Sequence, residues 1–441
     1  MKLAKIFQDG MLLQRDMPAA IWGSARPGEE IHASIQQREA HARADAQGNW
    51  RATLPPLEAS HNETLTIRGA DGDFTVRDVA VGEVFIAGGQ SNIEFHMDWE
   101  AHFQEALADC EDPDIRFFEA DKITFDGQEP ADPNSGVWRK ASVQELRYFS
   151  APGYYFARAL ARELNVPVGI VGCYWGGTRS CAWMTEAHAR EVQPEQCAAT
   201  DLAEWPQNAP GVLYRNMVLR TAPYAARGVL WYQGESDDDF VQSRHRAALD
   251  AVMADWRAAW GNPGLPFLVV QLPGFDHQID AAARNYPAIR ACQQQAVDSD
   301  AHAWLCSISD AGEEFDIHPR NKKSVGERLA LLAEKHIFGR DILADAPRCT
   351  GAERDGGNIV LRFDHAGSGL RIEGGAIQAL EITADGRPIP YEYVVSGNQL
   401  KITLAQSEAP AVRIRFAQTN WYRVNLYNEA NIPAIPFELT I

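Results

Sequence analysis

The chain of 441 residues lacks the marks of several protein classes. It has no apolar run near the ~20 residues of a membrane-spanning helix, and the segment from Met1 to Gly10 lacks the apolar core of a signal peptide. Its seven cysteines are odd in number and form no Cys-x-x-Cys pair, which disfavours a disulfide scaffold, a zinc ribbon or a redox motif. We therefore expect no membrane partner, and because no His, Cys or carboxylate cluster in the sequence has ligand spacing, we expect no metal and no cofactor. The expected location is cytoplasmic for the chain as given, or exported if a leader has been removed.

Basic residues are also scarce. Lys and Arg number 41 against 60 Asp and Glu, so the formal net charge is −19 and the isoelectric point is near 5.1. Binding to a phosphate backbone needs clustered cations, so no nucleic-acid partner is expected. The length exceeds that of one hydrophobic core, which predicts two or three domains.

Short alternating apolar patterns occupy both ends of the chain. Near the start, Ile31, Ala33 and Ile35 alternate with other residues, and turns such as Pro27-Gly28 interrupt the pattern. Similar alternation returns beyond about residue 345. These patterns predict antiparallel β-domains over residues 1–80 and 344–441.

Residues 81–343 show a different organisation, in which apolar runs alternate with helical stretches. The runs cover residues 84–87, 168–171, 229–232, 267–270 and 304–308, and the helical stretches include 152–163, 244–260 and 322–336. Such alternation predicts an α/β domain with a mostly parallel sheet. Ligands of open α/β sheets bind at the carboxyl ends of the strands, so motifs that follow these strands should converge.

The first such motif is Gly88-Gly89-Gln90-Ser91-Asn92, directly after an apolar run. Glycines permit a sharp turn, and a serine between a strand and a helix is where α/β hydrolases expose a nucleophile. A helix that begins there would also direct its amides and positive dipole end toward charge near Ser91. The alternative is that Ser91 only caps that helix.

The second motif, Asp316-Ile317-His318-Pro319, comes just before the last helical stretch of the domain. A histidine there is able to reach over the sheet and act as the general base for a serine. The alternatives are a surface-loop role for His318 and a helix-capping role for Asp316.

Two further motifs follow other apolar runs. In Trp175-Gly176-Gly177-Thr178, a glycine amide is a candidate oxyanion donor, and the alternative is a tight turn. In Trp231-Tyr232-Gln233-Gly234-Glu235-Ser236, the Gln233 amide is a second candidate donor, and Glu235 is a candidate partner for the histidine or for sugar hydroxyls. A purely structural role for Gln233 remains open.

These four motifs, in this order and at these distances, strongly resemble the sialate O-acetylesterase family of the SGNH-hydrolase superfamily. The similarity extends to both ends, through Asp9-Gly10-Met11-Leu12-Leu13-Gln14-Arg15 and Ile432-Pro433-Ala434-Ile435-Pro436-Phe437. It implies a flavodoxin-like, three-layer catalytic domain flanked by β-sandwich-like domains. It also implies a serine esterase whose partner is an O-acetylated sugar.

By position, the resemblance makes Ser91 the nucleophile and His318 the general base. The oxyanion donors would be the Ser91 amide, Gly177 and Gln233. The third member of the triad is open, because Phe315 stands where many relatives carry Asp. Asp316 is the first candidate and Glu235 the second, and a Ser–His dyad without a carboxylate is a third possibility.

Glu235, Asn92 and Arg215 are expected to contact the substrate. Arg215 and His96 depart from the usual family residues, which leaves the sugar open. O-acetylated sialic acid is the leading expectation, and an acetylated polysaccharide such as xylan is the alternative. A non-catalytic carbohydrate-binding protein on a hydrolase scaffold is an alternative of another class.

Overall fold

The computed structural model describes residues 1–70, 72–198, 200–237, 244–276, 285–405 and 411–441. The chain divides into two compact units. Unit 1 comprises Met1–Ser236 and Ala247–Phe267, and unit 2 comprises Asp237–Arg246 and Leu268–Ile441. Among the described residues, no helix combines the length and the apolar character that crossing a bilayer requires.

Unit 1 begins with eight strands that pair antiparallel among themselves with one exception, the second strand, which runs parallel to the eighth. These are β1 (Lys2–Leu3), β2 (Leu12–Gln14), β3 (Ala19–Ser24), β4 (Glu30–Ile35), β5 (Arg38–Arg43), β6 (Asn49–Leu54), β7 (Ser60–Gly69) and β8 (Gly72–Gly89). One sheet contains β1, β3 and β6, while β4 pairs with β5 and β7, and β7 pairs with β8. The predicted alternation is confirmed in β4, where Ile31, Ala33 and Ile35 are buried.

The strand β8 belongs to both the N-terminal strands and the central parallel sheet. Its first part pairs antiparallel with β7, and its later part, buried without interruption from Val79 to Gly89, forms parallel pairs. The predicted boundary between residues 80 and 81 therefore falls inside one continuous strand.

The parallel sheet of unit 1 runs in the order β10, β9, β11, β8, β12. The strands are β9 (Asp112–Glu119), β10 (Trp138–Ala141), β11 (Val168–Tyr174) and β12 (Gly228–Tyr232). All pairs are parallel except β9 with β10. Every residue of β11 and β12 is buried, which is typical of strands covered on both faces.

Helices and single turns connect these strands. The helices up to the end of unit 1 are α1 (Ser91–Glu94), α2 (Phe103–Leu107), α3 (Ala151–Leu164), α4 (Glu186–Val192), α5 (Pro194–Cys197), α6 (Leu219–Thr221) and α7 (His245–Trp260). Short 3₁₀ segments are Met97–Trp99, Leu146–Tyr148, Ser180–Ala182, Thr200–Ala203, Pro206–Asn208 and Glu235–Asp237, and Tyr214–Val218 is a π-helical turn.

Unit 2 contains two parts. The first has neighbouring strands β13 (Phe267–Val270) and β14 (Ala303–Cys306), with α8 (Tyr286–Asp298) and α9 (Lys323–His336). The second is all β: β15 (Arg348–Asp355), β16 (Asn358–Asp364), β17 (Arg371–Ile372), β18 (Leu380–Ala384), β19 (Arg387–Pro388), β20 (Tyr391–Ser396), β21 (Gln399–Leu404), β22 (Arg413–Phe416), β23 (Leu426–Tyr427) and β24 (Phe437–Thr440).

The closing strands form two four-stranded antiparallel sheets and a small pair around one apolar core. The sheet orders are β15-β16-β21-β20 and β19-β18-β22-β24, and β17 pairs with β23. The core includes Leu361, Leu400, Ile414 and Phe416. The predicted class, a parallel α/β sheet with additional antiparallel β-structure, is confirmed.

Candidate active site

The turn that presents Ser91 requires glycine at two successive positions. Gly89 has a φ of +131°, and a Cβ on it would lie 2.1 Å from the carbonyl oxygen of Tyr232. A Cβ on Gly88 would lie 2.7 Å from the ring of Trp256. Any larger residue at either position would displace the end of β8, so these glycines fix where Ser91 leaves the sheet.

The ends of three strands meet at this turn. Gly89 is in register with Tyr174 of β11 and Tyr232 of β12. The Gln90 amide donates to the Tyr232 carbonyl at 3.2 Å, and the Trp175 amide donates to the Gly89 carbonyl at 3.2 Å. Three of the four predicted motifs therefore converge in unit 1, as expected for the carboxyl ends of parallel strands.

Ser91 is the first residue of α1 rather than its cap. Gln90 is the cap residue, with extended backbone angles. The helix α1 has only four residues, so it carries little of the dipole that the sequence led us to expect at Ser91. The backbone and side chains around Ser91, and not a long helix, must therefore provide any stabilisation of charge.

Buried side chains join this turn to the segment that follows β12. The Asn92 side-chain amide donates to Glu235 Oε1 at 2.6 Å, and both residues are buried. Gln90 Nε2 donates to the Ser236 hydroxyl at 3.2 Å. Asn92 and Glu235, both predicted to contact substrate, thus contact each other. The choice between Asp316 and Glu235 as the triad acid stays a prediction.

The segment Trp175-Gly176-Gly177-Thr178 after β11, the glycine loop, packs directly against Ser91. A Cβ on Gly176 would lie 3.4 Å from Ser91 Cβ. The Gly176 amide donates to Glu94 Oε2 at 2.7 Å, so this N–H is already directed at a carboxylate. Gly177 adopts a φ of +72°. This arrangement favours Gly177 over Gly176 as the oxyanion donor, although the assignment stays a prediction.

Gln233 lies against the same loop. Its side chain is fully buried, and Nε2 donates to the Thr178 carbonyl at 3.3 Å. The Thr178 hydroxyl in turn donates to the Trp175 carbonyl at 2.6 Å. Gln233 therefore supports the loop, and because a primary amide carries two hydrogens, an oxyanion role remains compatible with this bond.

Glu94 was not predicted from the sequence as a site residue. It lies three residues after Ser91, and its carboxylate receives the Gly176 amide. The spacing of one helical turn was the available signal, but only the folded chain shows which loop meets that face.

A second set of residues missed by the sequence forms a bracket beneath the loop, comprising Arg179, Asp201 and Asn208. The Arg179 guanidinium donates to both Asp201 carboxylate oxygens, and its amide donates to Asn208 Oδ1 at 2.8 Å. Asn208 Nδ2 donates to the Gly177 carbonyl at 3.2 Å. These three residues therefore restrain the backbone of the loop at Gly177.

His318 and Asp316 lie in unit 2. The His318 amide donates to Asp316 Oδ1 at 2.8 Å, and Oδ1 lies 3.9 Å from His318 Nδ1, which is ion-pair rather than hydrogen-bond distance. Asp316 and Phe315 line a cleft of about 570 Å³ together with Trp421 and Arg423. In this geometry the Asp316 carboxylate orders the backbone of the histidine loop, and its triad role stays a prediction.

Arg215, a predicted substrate contact, lies in the π-helical turn. Its Nη1 donates to Glu186 Oε2 at 2.9 Å, and half of its side chain is exposed. Arg190 contacts the same carboxylate. This ion pair gives Arg215 a surface partner, and its proposed contact with substrate stays a prediction.

Two groups within the described ranges have the composition of metal ligands. His32, Glu39 and His41 form one on the β4–β5 hairpin, and Glu94, His96 and Glu119 form the other. In the second group, Lys122 Nζ lies 2.8 Å from Glu94 and 2.6 Å from Glu119. A protein ammonium thus already supplies positive charge between these two carboxylates.

The chain is similar to known carbohydrate esterases. Residues 81–332 match the family described as carbohydrate esterase, sialic acid-specific acetylesterase. Human sialate O-acetylesterase is 24% identical over 486 aligned residues, covering 99% of this chain and 92% of that protein. The mouse enzyme is 24% identical over an alignment that covers 77% of this chain and 74% of the mouse protein.

A solved structure extends the similarity to the whole fold. The crystal structure of a carbohydrate acetylesterase from Xanthomonas citri is 33% identical, with a TM-score of 0.86 and 99% coverage of both chains. The family match covers more than half of the chain. The protein is therefore a carboxylic ester hydrolase, and it belongs to the carbohydrate esterase family of sialic acid-specific acetylesterases.

Proposed function

We propose that the protein removes O-acetyl groups from a sugar through an acetyl-Ser91 intermediate. The observation that carries this proposal is the convergence at Gly89, which brings the glycine loop against Ser91 and Gln233 against that loop. Serine esterases need a nucleophile beside donors that face the developing oxyanion, and this strand end provides both kinds of group.

In the proposed mechanism, His318 accepts the Ser91 proton as Oγ attacks the acetyl carbonyl. The Ser91 and Gly177 amides and the Gln233 side chain stabilise the oxyanion. Collapse of the tetrahedral intermediate expels the sugar oxygen, which takes the proton from His318. Water activated by His318 then attacks the acetyl-enzyme, and acetate leaves as Ser91 regains its proton.

The proposed substrate is an O-acetylated sialic acid, because the family description and the curated relatives name sialate. The Xanthomonas citri relative is named only for carbohydrate, so a neutral acetylated polysaccharide is the substrate to test beside it. Measuring acetate released from O-acetylated sialic acid and from acetylated xylan in parallel separates the two. More rapid release from xylan would contradict the sialate assignment and leave the esterase proposal intact.

The catalytic step is tested with Ser91→Ala and p-nitrophenyl acetate. The wild-type protein should give a burst of nitrophenolate followed by turnover, and the variant should lose the burst and about 10⁶-fold in kcat. Ser396→Ala, at an exposed serine of β20, is the matched control and should retain both. Retention of the burst or of wild-type turnover in Ser91→Ala, or the absence of ester hydrolysis by the wild-type protein, would contradict the mechanism.

A further inference from the structure

Three buried, charged side chains form an ion-pair network next to the glycine loop. Lys122 Nζ lies 2.8 Å from Glu94 Oε1 and 2.6 Å from Glu119 Oε1. The exposed fractions of the Lys122, Glu94 and Glu119 side chains are 6%, 17% and 6%. Because these charges are largely removed from water, their mutual attraction is screened far less than that of a surface pair.

Glu94 connects this ion-pair network to the backbone beside Ser91. Glu94 uses Oε1 for Lys122 and Oε2 for the Gly176 amide, the latter at 2.7 Å. Gly176 packs against Ser91 and immediately precedes Gly177. The position of the Glu94 carboxylate therefore determines the orientation of the peptide next to the proposed oxyanion donor.

Lys122 is the only one of the three charged groups that balances the other two. Its own pKa is raised: burial would lower it, but the ion pairs with Glu119 and Glu94 outweigh burial, so the ammonium stays charged. Burial raises the pKa of Glu119 to about 7, against the lowering effect of Lys122. Burial also lowers the pKa of His96, which therefore favours its neutral form at this place. Tyr174 lies beside the ammonium, with Nζ 5.5 Å from its ring centroid.

We propose that Lys122 is a positioning residue of the esterase, which holds the Glu94 carboxylate on the Gly176 amide and so fixes the direction of the Gly177 N–H. The proposal rests on the proposed function of Ser91 and Gly177. Lys122 touches neither substrate nor nucleophile in this assignment. It acts through one carboxylate and one peptide, and it should affect the rate of acyl transfer more than substrate binding.

Without Lys122, two buried carboxylates would face each other without a counter-ion. Glu94 would then protonate or move away from Glu119, and either change weakens or redirects its bond to Gly176. Loss of a complete oxyanion donor costs about 10²–10³ in kcat. Misdirection of a donor should cost less, so the expected loss is roughly ten- to hundred-fold.

The experiment compares Lys122→Met with the wild-type protein on p-nitrophenyl acetate. We expect kcat to fall roughly ten- to hundred-fold while KM changes less than about twofold, and Lys122→Arg should restore most of kcat. Lys5→Met is the matched control, since Lys5 also pairs with a carboxylate, Asp121, at 2.7 Å but is half exposed. Its kcat should equal that of the wild-type protein.

Glu119→Gln separates positioning from a purely structural ion pair. This change removes one ion pair of the same network but leaves the Lys122–Glu94 pair in place. We therefore expect kcat to fall no more than about threefold. If Lys122→Met fails to fold, the double variant Lys122→Met/Glu119→Gln removes one of the two uncompensated carboxylates and should still show the lowered kcat.

Three results distinguish the possible failures. Folded Lys122→Met, or the folded double variant, with wild-type kcat would overturn the positioning role. Equal losses of kcat in Lys122→Met and Glu119→Gln would also overturn it, because the effect would then not depend on the Lys122–Glu94 contact. A wild-type protein that hydrolyses no acetyl ester would overturn the proposed function itself.

Discussion

Trp205 exposes 48% of its surface beside the glycine loop. Its ring atom Cζ3 would lie 3.9 Å from a Cβ on Gly177. The bracket holds this position, because the Trp205 amide donates to the Asp201 carbonyl and the Asn208 amide donates to the Trp205 carbonyl, each at 2.9 Å. A large aromatic face left open to water next to proposed catalytic groups is well suited to pack on the apolar face of a sugar ring.

We predict that Trp205→Ala weakens binding of the acetylated sugar while leaving the chemistry of a small ester intact. KM for the sugar substrate should rise about five- to thirtyfold, corresponding to the loss of roughly 1–2 kcal/mol of stacking. The kcat/KM for p-nitrophenyl acetate should change less than about threefold. Steady-state kinetics on both esters provides the measurement.

Phe125→Ala provides the control, since Phe125 is also an exposed aromatic residue of unit 1. Phe125→Ala should leave the kinetic constants for both esters unchanged. Trp205→Phe should bring the KM for the sugar substrate part of the way back to the wild-type value. A parallel loss on both esters in Trp205→Ala would instead indicate that the ring only supports the glycine loop.

At the residue scale, the sequence indicated candidate residues whose chemistry is visible without a partner, and their roles stay predictions. Ser91, Gly177 and Gln233 follow strand ends, and their segments meet because parallel strands end at one edge. Glu94 and Lys122 were not found, because a carboxylate and an amine acquire their role only from the loop and the counter-charge that the fold brings to them.

The helix α1, which begins at Ser91, is hydrogen-bonded to the start of α3. The Ser150 hydroxyl donates to the Ile93 carbonyl at 2.6 Å and accepts from the Gly153 amide at 3.1 Å, which makes it the cap of α3. The Ala151 amide donates to the Phe95 carbonyl at 2.7 Å. One fully buried serine thus links the end of α1 to the first turn of α3.

We predict that Ser150→Ala lowers the free energy of unfolding by about 1–3 kcal/mol, because it removes a helix cap and leaves the buried Ile93 carbonyl without this donor. Urea unfolding monitored by tryptophan fluorescence measures the change. Thr185→Ala is the comparison, since Thr185 caps α4 by accepting from the His188 amide at 3.3 Å. It should cost about 1 kcal/mol, and an equal or larger loss in Thr185→Ala would contradict the double role of Ser150.

At the element scale, apolar periodicity predicted the long elements well. The expected helices at 152–163, 244–260 and 322–336 correspond to α3, α7 and α9 within a residue or two at each end. The length of α1 was not predictable. Its chain turns away after Glu94 because the backbone of Phe95 bonds to Ala151 from a distant part of the sequence, and local propensity contains no such information.

At the scale of the whole molecule, the chain is strongly acidic, and two carboxylates that are wholly or partly removed from water each meet two basic side chains. In unit 1, the fully buried Glu83 accepts from Arg15 Nε at 2.7 Å and Arg227 Nε at 2.8 Å. In unit 2, Asp345 accepts from Lys335 at 2.6 Å and contacts His336 Nε2 at 2.8 Å, both at the end of α9. The Asn428 side chain donates to the Asp345 carbonyl at 3.0 Å, so this residue links α9 to the closing β-strands.

The division of the chain into three domains stays a prediction. Changes in the apolar pattern near residues 80 and 345 predicted three domains, and β8 continues through the first of these positions. A sequence pattern reports which face of a strand is buried but not whether two sheets share that strand. Ser91 lies in unit 1 and His318 in unit 2, and both belong to the predicted catalytic domain.

Asp345 provides a test of this charge arrangement through its pH dependence. Burial alone would raise the pKa of Asp345, but the bonds from His336 and Lys335 outweigh it and hold the pKa well below its usual range. A carboxyl group with a depressed folded-state pKa contributes its full stability above its unfolded pKa, near 4, and loses it as pH falls through that range toward the folded value.

We predict that Asp345→Asn lowers the free energy of unfolding by about 1–3 kcal/mol at pH 7, and by less at pH 3. Urea unfolding at both pH values measures this difference, with exposed Asp341→Asn as the control that should cost less than about 0.5 kcal/mol. A cost for Asp345→Asn that does not depend on pH would mean that the side chain stabilises the protein by packing rather than by its charge.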